Sequence, residues 1–439
     1  MKKKILIYID DDVYIRNYFT YDSFKLPKYD VVFYANRSVT RKYFLESLPN
    51  FKGYTNTSAW RTILRFNLQC NLQMMKYINR SKSFRFRLNR YPPRVKYLLK
   101  ILNLPIIRNI AMITIHVLLG DNRQIKAILK KERPDLVIIP SQIVDATSLD
   151  IIHLCNEMSI KTLSLIDGWD NISSKTIFPD LPTYLGVWGE QSRDHAVKIQ
   201  GIKKSKIFSV GTPRFEPYLR KQRTLKKPYD FNYVLFTGCS LAFDELSALK
   251  SLDLCLTKNG IKDVKIVYRP HPWRQKRKCF DYFIEADFKH VVMDQQIKEY
   301  YYYLKHMGTI YATALQPPLE YYPGLLKNAL FTISPLTTMI IEAAIMNKYV
   351  LTLAYDDGYH YTNPKNALQY YEHFKGIEEV SAFKFCYDSK DLSTIFLSLL
   401  KSMRGKTVLS NFHKEIDYYI SLYPDKYSKK LQEIISRII

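Results

Sequence analysis

The chain has 439 residues, 47% of them hydrophobic, and 66 Lys and Arg against 41 Asp and Glu leave a formal charge of +25. That length exceeds what one hydrophobic core supports, so a single small module is excluded and two domains of roughly 200 residues each are expected. The excess of positive charge calls for an anionic partner, whether nucleic acid, lipid headgroups or a phosphorylated substrate.

The opening MKKKILIYIDDD holds a compact apolar strand, Lys4–Ile9, broken by acids too early for a signal peptide. Asp30–Tyr34 is a second strand. Between them, Asp10, Asp11 and Asp12 lie in a strand-to-helix loop, where acids either cap a helix or, as a D-x-D triplet, hold a divalent cation. Capping is the reading adopted, with no metal.

From Met75 to Arg108, Lys76, Arg80, Lys82, Arg85, Arg87, Arg90, Arg94, Lys96 and Lys100 interleave with Phe84, Phe86, Tyr91 and Tyr97. This mixture suits the anionic face of an inner membrane, where charges meet headgroups and rings sit at the interface. It equally suits a solvated, loosely ordered face. No helix-turn-helix, zinc-finger or RNP pattern accompanies the charge, so no nucleic-acid partner is expected. Ile110–Leu119 is too short to span a bilayer, which leaves any membrane contact peripheral.

A regular alternation then begins: helix Gln124–Glu132, strand Leu136–Ile139, helix Ala146–Met158, strand Thr162–Ile166, strand Tyr184–Trp188, a helix from Gln191 and strand Ile207–Val210. Leu219–Asp230, rich in Lys, Arg and Pro, reads as a linker. A second series follows, with strand Tyr233–Phe236, helix Phe243–Leu256, strand Val264–Tyr268, strand Leu330–Ile333, helix Thr337–Met346 and strand Tyr349–Ala354. Buried-type strands alternating with helices predict parallel sheets. The expected division is residues 1–218 as an acceptor-binding Rossmann-like domain, 219–230 as linker, 231–395 as a nucleotide-binding Rossmann-like domain, and 396–439 as helices, ending in Ser428–Ile438, that pack back across the domains. Two doubly wound domains place a ligand crevice at the carboxyl ends of their strands.

Cys70, Cys155, Cys239, Cys255, Cys279 and Cys386 are scattered, with no C-x-x-C pair and no clustered histidines to complete a metal site. They predict reduced thiols in a cytoplasmic protein.

Three motifs fall just after strands. Arg269-Pro270-His271-Pro272 follows the strand ending at Tyr268; two prolines hold the backbone extended and fix the imidazole, and Arg269 adds a permanent charge. The result is a cradle for a leaving phosphate, with His271 as acid or electrostatic stabiliser; the alternative is an imidazole bonded to backbone in a rigid turn. Ser334-Pro335-Leu336-Thr337-Thr338 opens a helix whose free N–H groups favour an anion, and Glu342 further along is placed to accept ribose hydroxyls. Plain capping is the alternative for the hydroxyls, but a carboxylate among apolar neighbours needs a partner. Asp167-Gly168-Trp169-Asp170-Asn171 puts Asp167 in position as general base for an acceptor hydroxyl, with Asp170 in reserve and Trp169, Asp170 and Asn171 lining the acceptor site. An Asx-type turn is the competing reading. Gly238-Cys239-Ser240 is a small-residue turn whose N–H groups approach the donor phosphate, and Trp188-Gly189-Glu190 and Gly211-Thr212-Pro213-Arg214 line the crevice.

In combination these motifs resemble, in the same domain order, bacterial sialyl-, polysialyl- and Kdo-transferases of GT-B fold, over about Ser164 to Leu353; CDP-glycerol transferases share the layout more distantly. The resemblance implies an α/β GT-B fold, two Rossmann-like domains facing across a cleft, with His271 and Thr337 or Thr338 binding the CMP portion of the donor and Asp167 acting as base. This sequence has Ile166 where a second acid often precedes the Asp-Gly pair, and Pro335 where a second hydroxyl residue often stands. The expected activity is an inverting, metal-independent transfer of a sugar from a nucleotide-sugar donor, a substrate and not a cofactor, to a glycan or lipid-linked glycan of the bacterial surface. Competing readings are transfer of polyol phosphate from CDP-glycerol or CDP-ribitol, and a non-catalytic basic scaffold for a membrane or acidic polymer.

Overall fold

Apolar runs without polar alternation need cover on both faces, and the computed structural model gives them that cover. It describes residues 2–19, 22–56, 60–220, 225–271, 283, 286–299, 316–404, 411–423 and 426–439. The chain divides into two units, Met1–Arg214 with Tyr370–His373 and Asp417–Ile439, and Phe215–Gln369 with Phe374–Ile416.

In the first unit, β1 (Lys4–Ile9), β2 (Asp30–Asn36), β3 (Phe51–Thr55), β4 (Leu136–Ser141), β5 (Lys161–Ile166), β6 (Tyr184–Val187) and β7 (Ile207–Ser209) form one parallel sheet in the order β3-β2-β1-β4-β5-β6-β7. Alternate side chains of β1 enter opposite cores. Leu6 and Tyr8 pack with Phe66, Ile125, Leu129 and Leu149, while Ile5, Ile7 and Ile9 pack with Tyr14, Tyr18, Leu45 and Leu431. In the second unit, β8 (Asn232–Thr237), β9 (Val264–Arg269), β10 (Val291–Met293), β11 (Thr332–Pro335), β12 (Val350–Leu353) and β13 (Phe383–Cys386) form a parallel sheet in the order β10-β9-β8-β11-β12-β13. Each unit is thus doubly wound, and its strand order reverses once: between β1 and β4, and between β8 and β11. Short strands β3, β10 and β13 lack the long apolar run that marks the others and were not expected.

The expected group 396–439 is divided. Residues up to Ile416 belong to the second unit, and Asp417–Ile439 belongs to the first. The reason lies in the helix Tyr427–Ile438, whose Leu431, Ile434, Ile435 and Ile438 form one apolar stripe in the same core as Ile5 and Ile7. Burial of such side chains is worth roughly 1.5–3 kcal/mol each. The chain also enters the second unit at Phe215, ahead of the expected linker.

Residues 60–119 are ordered into helices Trp60–Lys76, Lys82–Asn89, Pro93–Leu102 and Pro105–Leu119, with prolines at the first positions of the last two, where the missing N–H costs nothing. No single helix among the described residues is long and apolar enough to cross a membrane; Pro93–Leu102 and Pro105–Leu119 pass that test only as a pair, bent by 92°. The five cysteines among the described residues are free thiols.

The glycines after β6 and β7 have a packing cause. Residues 418–421 cross those strand ends, Tyr418 O accepting from Gln191 N at 2.8 Å and Ser421 N donating to Trp188 O at 2.7 Å. Gly211 has φ +68°, and a Cβ there would stand 2.5 Å from Ser421 O. Gly211→Ala is therefore expected to lower the unfolding free energy by about 2–4 kcal/mol, seen as a fall in urea midpoint. Gly201→Ala, at φ +76° with only the end of the Arg80 side chain nearby, is expected to lose about 1 kcal/mol in the same titration.

Candidate functional site

In the first unit, polar side chains emerge where β1, β4 and β5 end. Asp10 accepts from Asn36 Nδ2 at 2.7 Å and from Ser148 N and Oγ, both at 3.1 Å. Burial, aided by the nearby charge of Asp145, raises its pKa to about 7, against the hydrogen bonds that lower it. The other two acids of the triplet serve the local backbone: Asp11 caps Val13 N, and Asp12 holds the loop after β2 through Thr40 N, Thr40 Oγ1 and Arg41 N.

Asp145 and Tyr14 were not anticipated. The Tyr14 hydroxyl donates to Asp145 Oδ2 at 2.5 Å, and Gln142 N reaches the same carboxylate oxygen at 2.8 Å. The turn that presents Asp145 carries Ile143 at φ +63°, a left-handed conformation that a β-branched residue rarely adopts, held by Ser141 Oγ accepting from Ile143 N at 2.9 Å. Its signal was the one used for Asp167, an acid a few residues beyond a buried strand.

Asp167 follows β5 and is 6% exposed. Asn17 Nδ2 donates to its Oδ1 at 2.9 Å. Burial raises its pKa to about 6; the Asn17 hydrogen bond and the charges of Arg214 and Lys175 oppose that shift, and Asp145 adds to it. A carboxyl poised there can gain and lose a proton near neutral pH. Beside it, Asn171 donates from Nδ2 to Gln142 O at 2.8 Å, and Asn17 Oδ1 and Asn171 Oδ1 are buried acceptors without a hydrogen-bond partner among the described residues. Asp170 pairs with Lys175 at 3.5 Å. Trp169 is buried, edge-on to His373 and Tyr419. Its indole is packing under this loop rather than an open platform.

In the second unit the candidate residues line the ends of β8, β9 and β11. Gly238 N donates to Arg269 O at 2.8 Å, and a Cβ on Gly238 would stand 2.7 Å from Glu245 Oε2 and 3.0 Å from His271 N. The small-residue turn and the His271 backbone are therefore in contact. Glu245, another residue missed, is buried and accepts from Cys239 N at 2.8 Å and Tyr268 OH at 2.6 Å, which ties the turn to β9. Ser240 is exposed and His271 half-buried. Ser334 is fully buried within β11, where Thr237 Oγ1 lies 2.8 Å from its hydroxyl oxygen. Its hydroxyl links β8 to β11. Thr337 and Thr338 stay half-buried, with Thr337 Oγ1 accepting from Met339 N at 2.8 Å, so the helix proper runs Met339–Ile345, two residues shorter at its start than the apolar pattern indicated. Glu342 is fully buried and has the partner it required: the Tyr218 hydroxyl donates to its Oε2.

Arg269 departs from expectation. Its side chain is 5% exposed, its Nη1 donates to buried Asp294, its Nη2 donates to Tyr322 OH at 3.0 Å, and its guanidinium lies over the Tyr321 and Tyr322 rings. Burial disfavours its charge, but Tyr322 and Asp294 outweigh burial and raise its pKa. A cation of that reach finds the nearest buried carboxylate, so its charge is matched beneath the strand end. Pro272 lies outside the described residues.

No family model matches the sequence, and no curated protein matches it. Solved structures do resemble it. UDP-GlcNAc 2-epimerase from Methanocaldococcus jannaschii aligns with TM-score 0.54 at 14% identity, over 99% of both chains. UDP-N-acetylglucosamine 2-epimerase from Rickettsia bellii gives 0.52 at 14% identity, over 100% of this chain and 97% of that one. UDP-GlcNAc 2-epimerase from Neisseria meningitidis gives 0.51 at 11% identity, over 99% and 100%. At these identities the likeness is one of fold. The chain has the α/β GT-B fold. Its strand reversals, β1/β4 and β8/β11, are the places where this class of sheet opens to a ligand.

The folded pKa of Asp167, about 6, exceeds the ordinary 3.8. The folded state therefore holds the proton more tightly, and the stability this gives is lost as pH rises through that interval. Asp167→Asn is expected to stabilise the chain by on the order of 2 kcal/mol at about pH 8 and by almost nothing at about pH 4, as read from urea midpoints at the two pH values.

Proposed function

We propose that this chain moves a sugar from a nucleotide donor to a bacterial surface glycan, the donor class being a CMP-activated ulosonic acid such as Kdo or sialic acid. The observation that carries the reading is the gathering of Gly238, His271, Thr337 and Thr338 at the strand ends that flank the β8/β11 reversal, with the Glu342 carboxylate one turn into the following helix. Backbone N–H groups of the turn and the half-buried hydroxyls suit phosphate oxygens, and His271 donates to the leaving oxygen. Glu342, buried and bonded to Tyr218, acts as a positioning residue for the helix that follows the hydroxyls. Arg269 acts as a positioning residue that fixes the end of β9 through Asp294 and Tyr322.

Asp167 is the base. It takes the proton of the acceptor hydroxyl, whose oxygen attacks the anomeric carbon as the bond to the nucleotide phosphate breaks. Its raised pKa supports this role, and the hydrogen bond from Asn17 fixes its carboxylate. A fold neighbour solved with UDP-GlcNAc bound makes UDP-sugars the second donor class to test.

Purified protein tested by thermal shift against CMP, CDP, UDP, GDP, CMP-Kdo, CDP-glycerol and UDP-GlcNAc is expected to be stabilised by a cytidine monophosphate conjugate. His271→Ala is expected to weaken that binding at least tenfold, and Asp167→Asn to keep binding while kcat falls about 10²- to 10⁴-fold. Stabilisation by none of the panel would overturn the reading. Release of CMP with transfer of polyol phosphate would replace glycosyl transfer with attack at phosphorus.

The same function places the chain at a membrane that carries its acceptor. Tyr97, Ile106, Val117 and Leu118 are 69%, 75%, 72% and 72% exposed on two adjoining helices that also expose Arg94 and Lys100, a combination suited to anionic headgroups. Vesicles of phosphatidylglycerol and phosphatidylcholine are expected to sediment the protein at low salt, phosphatidylcholine alone much less, and Ile106→Glu with Val117→Glu to lose at least tenfold in partitioning. Equal binding to both vesicle types would remove the membrane from the proposal.

A further inference from the structure

Away from the strand ends, the first unit gathers two imidazoles and two carboxylates. His116 stands in the last turn of helix Pro105–Leu119, Asp121 in the loop after it, and His153 and Glu157 one turn apart on helix Ala146–Glu157. One ligand atom from each lies within 4.8 Å of all the others. His116 Nε2 is 3.8 Å and His153 Nε2 3.7 Å from Asp121 Oδ1, and His153 Nε2 is 3.4 Å from Glu157 Oε1. Ligand atoms around a tetrahedral zinc ion are separated by roughly 3.3–3.6 Å, as follows from bond lengths near 2.0–2.2 Å.

Two features set this cluster apart from a surface ion-pair network. His153 Nε2 is buried and has no hydrogen-bond partner among the described residues, an arrangement that costs free energy unless something occupies the space it faces. Its other nitrogen, Nδ1, lies 2.9 Å from Asp180 Oδ2. A carboxylate on Nδ1 fixes the tautomer that turns the Nε2 lone pair toward the cluster, the relation found behind metal-ligating histidines. Lys126 Nζ holds the outer oxygens, Asp121 Oδ2 at 3.0 Å and Glu157 Oε2 at 3.4 Å, and leaves Asp121 Oδ1 and Glu157 Oε1 facing the imidazoles. Arg65 Nη1, 3.3 Å from Asp121 Oδ1, takes one lone pair of that oxygen.

We propose that His116, Asp121, His153 and Glu157 bind one divalent cation of the zinc class, which pins the end of helix Pro105–Leu119 to helix Ala146–Glu157. Two imidazole nitrogens disfavour calcium and magnesium, which take oxygen ligands. The tether has a physical reason. No residue of helix Pro105–Leu119 is buried, so apolar packing alone holds it weakly, and the cation supplies a fixed point at the base of the exposed helix pair.

The test uses the full chain, stripped with a chelator and titrated with Co²⁺ and then Zn²⁺. One equivalent of Co²⁺ is expected to give the visible bands of a tetrahedral site, Zn²⁺ to displace it, and Zn²⁺ to raise the melting temperature. His116→Ala and His153→Ala are expected to abolish all three effects, and Asp180→Asn to weaken Zn²⁺ binding about 10- to 100-fold. Each variant is compared with wild type in chelator by circular dichroism, and one that does not fold is replaced by the corresponding Gln. Absence of stoichiometric Zn²⁺ binding, or equal affinity in a folded His153 variant, overturns the proposal.

Discussion

A parallel strand covered on both faces has one place where a polar side chain can meet a ligand, its carboxyl end. The residues proposed for donor binding and for base catalysis follow from that constraint. The interiors of β1, β4 and β5 are aliphatic, and Asp10, Asp145 and Asp167 appear just past their last residues. The second sheet repeats the arrangement with Gly238, His271 and Thr337 beyond β8, β9 and β11.

These strand-end groups are expensive. Asp10 and Asp167 are buried carboxyls whose charged forms are disfavoured by desolvation, and Ile143 occupies a backbone conformation that costs a β-branched residue energy. The structure contains the cost with short, specific hydrogen bonds from Asn17, Asn36 and Ser148. Clusters of this kind, where local preference is overridden in one small region, are where a fold gives up stability for chemistry.

Charge is also distributed by burial. Arg65 and Arg269, both nearly inaccessible, are each matched by a fully buried aspartate, Asp150 and Asp294. Neither cation contributes to the outward field of the +25 chain. The exposed Lys and Arg of residues 82–100 do, and they sit beside apolar side chains that no core covers.

Composition and periodicity by themselves determined the fold class, the two alternating series and the loops that carry Asp167, His271 and Thr337, because an unbroken apolar run reports burial along one element. They also required a partner for Glu342, since a carboxylate among Ile340, Ile341, Ala343 and Ala344 cannot stand alone. Only the tertiary structure decided that the partner is Tyr218, that Arg269 turns to Asp294, and that the glycine at 211 clears residue 421. The same holds for His116 and His153, which look unrelated in the chain and meet because the last turn of one helix comes to lie near another. Periodicity is local, whereas the neighbours of a side chain far away in sequence are set by how whole elements pack.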